Sequence, residues 1–172
     1  MLKLSILITR EQINARIDQL ATQIAEDYRD RRPLILGTLK GSFIFTSDLV
    51  RKLDMPVEID FVRLSSYGSG AETSGKIEVV QDVRTIIEDR HVLVIEDIVD
   101  TGLTARFLLD HLSSRQPSSL SLCTLLDKPS RRTVEVPIAY VGFTVPNKFV
   151  VGYGIDFDEK FRNLPDVCAL ED

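Results

Sequence analysis

The chain has 172 residues, 44% of them hydrophobic and 27% charged, a composition typical of a single soluble globular domain. Its net charge of −5 at pH 7 argues against a nucleic-acid-binding surface. The apolar run before Arg10 is too short for a membrane span and lacks a cleavage site, so we expect a cytoplasmic protein with no membrane partner. Cys123 and Cys168 have no spacing typical of a disulfide framework or a zinc site.

The first predicted element is an amphipathic helix. Thr9 and Gln12 have the spacing of a capping box, which marks a helix start. Apolar residues then recur at intervals of three and four as far as Ile24. We expect this helix to end near Asp30.

Strand and helix patterns alternate along the rest of the chain, which predicts an α/β fold with a mostly parallel sheet covered on both faces. Ligands of such sheets bind beyond the carboxyl ends of the strands. In chain order, the predicted elements are a buried strand at 33–39, a helix at 40–53, a strand at 57–64, a Gly/Ser-rich loop at 65–76, a strand at 76–80, a buried strand at 91–96, a helix at 103–114 with Leu103, Phe107 and Leu108 on its inner face, a buried strand at 119–126, and short strands at 138–145 and 149–155.

Three carboxylates stand at or just after the end of the predicted buried strand at 91–96, in the stretch "EDIVDTGLT". An ordinary strand-to-helix turn with Asp100 as the N-cap explains one of them but not the other two. Glu96 and Asp97 suit sugar hydroxyls or magnesium, and residues 100–104 open a helix whose free N–H groups can hold an anion. The stretch therefore predicts a site for a phosphorylated sugar.

A rival phosphate loop is present in "GAETSGKI", residues 70–77, which has the spacing of a Walker A motif. Ile77 stands where that motif needs a serine or threonine for magnesium. The stretch also precedes a strand pattern instead of a helix, so we do not expect a P-loop nucleotidase.

Other loops offer complementary chemistry near the same strand ends. "LKGS" places Lys40 after the second predicted element, and "LLDKPSRR" places Lys128 after another buried strand, where each can be a solvated surface charge or a ligand donor. The aromatic-rich segment 145–167 can form a small satellite core or hold a flat heteroaromatic ring by stacking. Its Asp156 and Arg162 suit a metal and an anion.

These motifs together resemble the purine phosphoribosyltransferases of the hypoxanthine/guanine type. "VLVIEDIVDTGLT" resembles the phosphoribosyl-diphosphate motif of the whole superfamily, which includes orotate, adenine and uracil relatives. "LKGS", "SSYGSG", "LLDKPSRR" and "FVVGYGIDFDEKFRNLP" occur in the family's order and extend the resemblance over residues 34–167. The last of them is the most specific to this branch.

The resemblance implies a role for each matching residue. On the phosphoribosyl side, Glu96 and Asp97 would bind the ribose hydroxyls near magnesium, and Asp100 would be the general base toward the purine N7. The backbone and hydroxyls of Asp100, Thr101, Gly102, Leu103 and Thr104 would hold the 5′-phosphate. Lys40, Gly41 and Arg162 would bind pyrophosphate, and the Leu39–Lys40 peptide bond is a candidate for the cis form.

On the purine side, the resemblance implies that Lys128 contacts the base O6 and that Phe149 stacks on the ring. Val150 would read the N1 and C2 edge, and Asp156 would contribute to the purine site and to magnesium binding. Ser66 and Tyr67 would belong to a lid formed by the loop at 65–76.

The implied fold is a type I phosphoribosyltransferase fold in one domain, residues 1–172. Its core would cover about 10–145, and a small hood over the carboxyl ends of the strands would combine the N-terminal strand with about 146–172. The implied reaction is magnesium-dependent transfer of the 5-phosphoribosyl group from phosphoribosyl diphosphate to hypoxanthine or guanine, giving IMP or GMP. A homodimer or homotetramer is implied as well.

Two alternatives stay open at this point. Some relatives with the same motif are RNA-binding regulators of pyrimidine genes, although the charge of −5 does not favour such a surface. Other relatives transfer the same group to orotate, adenine or xanthine. Lys128 favours a 6-oxopurine over adenine, but nothing in the sequence separates hypoxanthine, guanine and xanthine.

Overall fold

The computed structural model describes residues 3–67 and 76–171, and this part of the chain forms two β-sheets flanked by three α-helices. The helices are α1 (Arg10–Asp27), α2 (Phe43–Val50) and α3 (Leu103–Ser113), and a 3₁₀ turn covers Pro129–Arg131. The strands are β1 (Lys3–Ile8), β2 (Leu34–Leu39), β3 (Glu58–Tyr67), β4 (Lys76–Gln81), β5 (His91–Val99), β6 (Ser119–Asp127), β7 (Tyr140–Thr144), β8 (Val150–Val151) and β9 (Val167–Glu171).

The larger sheet has six strands in the order β4-β3-β2-β5-β6-β7. Every neighbouring pair is parallel except β3 and β4, which confirms the predicted mostly parallel α/β sheet. Strands β2, β5 and β6 therefore end side by side, at Leu39, Val99 and Asp127. We call this edge of the sheet the rim.

Helices cover both faces of this sheet because successive strand residues point to opposite sides. Leu34 packs in a cluster with α3, while the next residue, Ile35, packs in a cluster with α1 and α2. Fully buried aliphatic side chains such as these each contribute about 1.5–3 kcal/mol to stability relative to exposure. The two clusters hold the strand ends at the rim in fixed positions.

The smaller sheet consists of β1, β9 and β8, all antiparallel, and with residues 152–166 it forms what we call the hood. Tyr153 and Ile155 of the hood are buried in the cluster that contains α1 and α2. The Tyr153 hydroxyl donates a hydrogen bond to Asp48 of α2. Gly154, at φ 99°, lies so close to the loop after β2 that an added Cβ would stand 2.2 Å from the Gly41 carbonyl oxygen. The hood is thus fixed against the rim.

The predicted first helix is confirmed, with a slightly different end. The Gln12 N–H donates to Thr9 Oγ1 at 3.3 Å and the Thr9 N–H donates to Gln12 Oε1 at 2.8 Å, which completes the capping box. The helix ends at Asp27 instead of Asp30, which has a φ of 64°. The second helix, predicted at 40–53, is shorter and covers Phe43–Val50.

Two sequence-based expectations around β5 are wrong. The strand was predicted to end at Glu96 but continues to Val99, so Asp97 lies within it and does not follow its end. The reason is the neighbouring strand, because β5 and β6 stay paired as far as Val99 and Asp127. Leu103 was expected on the inner face of α3 but is exposed, since this face is formed by Ala105, Leu108, Leu109 and Leu112.

None of the helices in the described ranges is long and apolar enough to cross a membrane.

Candidate active site

A cavity of about 390 Å³ lies at the rim, between the ends of β5 and β6 and the hood. Five residues singled out from the sequence line it, namely Asp100, Lys128, Phe149, Val150 and Asp156. They come from three separate segments of the chain, so only the fold brings them together. A concave site with convergent polar groups and one aromatic wall is typical of a small-molecule binding site.

A larger cavity of about 690 Å³ lies elsewhere, between α1 and the connection from α2 to β3. Arg29, Lys52 and Asp54 are among its lining residues, and none of the sequence-predicted site residues lines it. We therefore do not place the active site in this cavity, although it is the larger of the two.

Glu96 is buried in β5 and its carboxylate faces β2. Thr38 Oγ1 donates a hydrogen bond of 2.7 Å to Glu96 Oε2. Burial, with a smaller contribution from the neighbouring Asp97 carboxylate, raises the pKa of Glu96. No sequence pattern predicts the contact between Glu96 and Thr38, because it joins two strands that are distant along the chain.

Asp97 lies against the backbone of the loop that follows β2. An added Cβ at Gly41 would stand 1.8 Å from Asp97 Oδ2, so only glycine fits at this position. The Ile98 N–H donates to Asp97 Oδ1 at 2.9 Å. Burial raises the pKa of Asp97, and the nearby Arg162 opposes this shift. Gly41 thus acts by allowing the close approach of a carboxylate.

Asp100 lies just past β5 and has one cation on each side. Its Oδ1 is 3.0 Å from Arg131 Nε, and its Oδ2 is 4.0 Å from Lys128 Nζ. The contact with Arg131 does not have hydrogen-bond geometry, so the buried Oδ1 has no hydrogen-bond donor among the described residues. The side chain is 37% exposed and lines the cavity, so its carboxylate can accept a proton from a ligand there.

The segment from Thr101 to Thr104 forms the amino-terminal turn of α3. Gly102 is the N-cap residue with φ 88°, and no side chain caps the helix there. The interpretation of Asp100 as the N-cap is therefore wrong. The first amides of α3 stay free to bind an anion, except that the Leu103 N–H makes a long 3.4 Å contact with Thr101 Oγ1.

Lys128 lines the cavity and is buried, with 5% of its surface exposed. Its Nζ donates to the Lys148 carbonyl oxygen at 2.9 Å, which orients the side chain. Burial lowers the pKa of Lys128, whereas the Asp100 carboxylate acts in the opposite direction. A buried cation at this position can donate to a ligand carbonyl.

The aromatic ring that lines the cavity is that of Phe149. Phe149 is 54% exposed and meets Phe157 edge to face, with the ring centroids 5.4 Å apart and the planes at 87°. An exposed ring that borders a cavity has a free face for stacking on a planar ligand. Val150, the next residue, is buried in β8.

Lys40 and Arg162 are neighbours at the rim, although 122 positions separate them in the chain. Arg162 Nη1 donates to the Gly154 carbonyl oxygen at 2.9 Å, and its Nη2 is 3.0 Å from Asp156 Oδ1. Glu159 makes ion pairs with both cations. The Leu39–Lys40 peptide bond is cis, as the resemblance implied.

The predicted metal ligands are Glu96, Asp97 and Asp156, and they do not form a complete metal site by themselves. In residues 3–67 and 76–171, no three side chains of the metal-binding types are grouped to hold an ion. Magnesium is usually held by one or two carboxylates together with substrate phosphates and water. Burial raises the pKa of both Glu96 and Asp97 because it disfavours their charged forms, and a cation bound beside them would stabilise those charged forms. The residues fit a magnesium ion that the substrate brings with it.

The predicted lid lies mostly outside the described residues. Ser66 is exposed in β3 and pairs with Ile77, and the backbone of Tyr67 pairs with Lys76. The side chain of Tyr67 and residues 68–75 lie outside the described part of the chain.

Sequence reasoning did not identify Arg132, whose hydrogen bonds hold two segments of the site together and so act as a brace. Its Nε donates to the Asp100 carbonyl oxygen at 3.1 Å, and its Nη2 donates to the Val99 carbonyl oxygen at 3.3 Å and to Asp127. An added Cβ at Gly102 would meet the Arg132 side chain at 2.8 Å. One guanidinium thus connects the end of β6, which carries Lys128, to the loop that carries Asp100.

Comparison with known proteins gives a family match over most of the chain. The phosphoribosyl transferase domain matches residues 7–158. The hypoxanthine phosphoribosyltransferase of Haemophilus influenzae is 47% identical over 162 residues, which cover 92% of this chain and 90% of that protein.

Solved structures show the same fold. The crystal structure of a hypoxanthine-guanine phosphoribosyltransferase from Bacillus anthracis has a TM-score of 0.93 and 44% identity, and the match covers 99% of this chain and 100% of that one. The hypoxanthine phosphoribosyltransferase of Trypanosoma cruzi, solved with the product IMP, has a TM-score of 0.89 and 41% identity, with 96% and 93% covered. The type I phosphoribosyltransferase fold expected from the sequence is confirmed.

The brace formed by Arg132 can be tested by comparing its alanine variant with that of the neighbouring Arg131. Arg132→Ala removes three hydrogen bonds of a largely buried guanidinium, so we expect the free energy of unfolding to fall by about 2–4 kcal/mol. Arg131→Ala removes a half-exposed ion pair and should cost at most about 1 kcal/mol. Urea unfolding of the two variants measures the difference, and equal losses would contradict the brace.

Proposed function

This chain belongs to the phosphoribosyltransferase family, in its hypoxanthine and hypoxanthine-guanine branch, and we propose that it transfers the 5-phosphoribosyl group of phosphoribosyl diphosphate to N9 of a 6-oxopurine. The products would be pyrophosphate and IMP or GMP, and the cofactor would be magnesium. The observation that carries this proposal is the rim cavity, where Asp100, Lys128 and Phe149 meet beside the open amino terminus of α3.

The purine would occupy the cavity between the hood and the end of β6. Lys128 would donate a hydrogen bond to the base O6 and draw electron density toward it. Asp100, which lines the cavity and is 37% exposed, would accept the proton of N7. Phe149 would stack on the ring, and Val150 would present its backbone to the N1 and C2 edge. These contacts make N9 a better nucleophile.

The sugar and its phosphates would lie over the ends of β5 and β2. Glu96 and Asp97 would accept hydrogen bonds from the ribose hydroxyls, and the first amides of α3 would hold the 5′-phosphate. Lys40 and Arg162 would stabilise the negative charge that leaves with pyrophosphate. A magnesium ion held by Asp97, Glu96 or Asp156 together with the diphosphate would supply further positive charge to the leaving group.

The cellular setting follows from the same proposal. The two cysteines are free and buried, as expected for a protein of a reducing compartment such as the cytoplasm. A homodimer or homotetramer is expected from the family. The relatives described above are purine enzymes, which favours this reaction over the RNA-binding alternative.

A panel of bases tests the proposed function directly. With phosphoribosyl diphosphate and magnesium, pyrophosphate release should be at least about tenfold faster with hypoxanthine or guanine than with adenine, uracil or orotate, because Lys128 can donate to O6 but cannot accept from an amine. Xanthine in the same panel measures the remaining alternative. Omission of magnesium is the control and should stop the reaction. Release with uracil or adenine alone would refute the proposal.

Asp100→Asn tests the general base. Because asparagine keeps the shape but cannot take a proton, we expect turnover to fall by about 10²–10⁴-fold, while the Kd for phosphoribosyl diphosphate changes little. Steady-state kinetics and calorimetry measure the two quantities. The matched control is Asp110→Asn, on the exposed side of α3, which should behave as the wild type. Full turnover in Asp100→Asn would contradict the base role.

Lys128→Ala tests the contact with O6. We expect kcat/KM for hypoxanthine and guanine to fall by about 10–100-fold, as for the loss of one charged hydrogen bond, and the preference over adenine to shrink. Lys160→Ala, an exposed hood lysine outside the cavity, is the control. If the variant loses the same factor with every base, Lys128 does not read O6.

A further inference from the structure

The carboxylate of Glu159 bridges the two cations assigned to pyrophosphate. Its Oε2 lies 2.5 Å from Lys40 Nζ, and its Oε1 lies 3.1 Å from Arg162 Nη2. Each carboxylate oxygen of Glu159 thus forms an ion pair with one of the two cations. This is the arrangement that two oxygens of a bound diphosphate would adopt between the same two groups.

The backbone under Glu159 is unusual for a glutamate. Phe157 and Lys160 pair as the ends of a tight hairpin, and the two residues between them, Asp158 and Glu159, have φ of 51° and 60°. Hairpin turns with two positive φ angles strongly prefer asparagine, aspartate or glycine. A long side chain in the left-handed region costs free energy, which the two ion pairs offset.

The three partners differ in their freedom to move. Arg162 is largely buried and is also held by Gly154 and Asp156. Glu159 is 64% exposed on the surface of the hood, so its side chain can turn into solvent without any change of the backbone. An incoming anion can therefore displace the carboxylate and leave the cations in place.

We propose that Glu159 is an internal anion that occupies the pyrophosphate subsite of the empty enzyme and weakens the affinity of that subsite for the diphosphate. The inference rests on the proposed function, because it assigns Lys40 and Arg162 to the leaving group. The carboxylate keeps the two cations from repelling each other before substrate arrives. It competes with the diphosphate on entry and favours departure of pyrophosphate after the transfer.

The test is the affinity for inorganic pyrophosphate in the presence of magnesium, measured by calorimetry and as an inhibition constant against phosphoribosyl diphosphate. Glu159→Gln should lower the dissociation constant and the inhibition constant of pyrophosphate by about two- to fivefold. This is the size expected when exposed ion pairs no longer compete with the ligand. Glu159→Gly also removes the carboxylate and suits the positive φ, so it should bind pyrophosphate at least as tightly as the wild type.

Asp158→Asn is the matched control. It makes the same charge change in the same turn, but Asp158 contacts Lys160 and neither of the two cations. Its pyrophosphate affinity should stay at the wild-type value. An equal gain in Asp158→Asn would show a general charge effect and overturn the inference.

The remaining outcomes distinguish a failure of the internal-anion role from a failure of the proposed function. Weaker or unchanged pyrophosphate binding in Glu159→Gln, with an active wild type, overturns the internal-anion role and leaves the proposed function standing. A wild type that neither binds pyrophosphate nor releases it with any base overturns the proposed function itself.

Discussion

The site depends on a close contact of three backbone segments at Gly41. On one side its Cα lies against the Asp97 carboxylate, and on the other its carbonyl oxygen lies against Gly154 of the hood. A Cβ at either glycine would stand about 2 Å from a neighbouring oxygen, so any side chain would push the segments apart. This contact sets the distance between the end of β5, the loop after β2 and the hood, and so the width of the site.

Charge is distributed in the site in a pattern that a phosphorylated sugar completes. Burial of Glu96 and Asp97 raises the pKa of both carboxyl groups because it disfavours their charged forms, which a cation or hydroxyl donors would stabilise. Lys40 and Arg162 both form ion pairs with the exposed carboxylate of Glu159. In the proposed function, the substrate would supply hydroxyls to the first pair and phosphate oxygens to the second. Without substrate, Thr38 donates a hydrogen bond to Glu96, and Glu159 neutralises part of the positive charge of Lys40 and Arg162.

Local sequence patterns predicted the parallel sheet and the rim because hydrophobic periodicity and the order of strands are enough to align strand ends. Asp100, Lys128 and Phe149 converge as the sequence and the resemblance implied. The predicted end of β5 was wrong because the length of this strand depends on its pairing with β6. No local sequence pattern indicates how far that pairing extends. Arg132 and Glu159 could not be found for a similar reason. Each looks like an ordinary surface charge, and its role comes from partners that only the folded chain brings near.

In the proposed reaction, two parts of the chain would share substrate recognition. Glu96, Asp97 and the first amides of α3 would bind ribose and phosphate, and Asp100, in the same part, would accept a proton from the base. The other groups proposed to contact the base are Lys128, directly after β6, and Phe149, directly before β8, and both line the rim cavity. Arg132 joins the two parts, because it binds Asp127 at the end of β6 and the carbonyl oxygens of Val99 and Asp100 at once. In the proposed reaction the base and the sugar would have to meet within bonding distance, and this single guanidinium would help to hold their two half-sites at that distance.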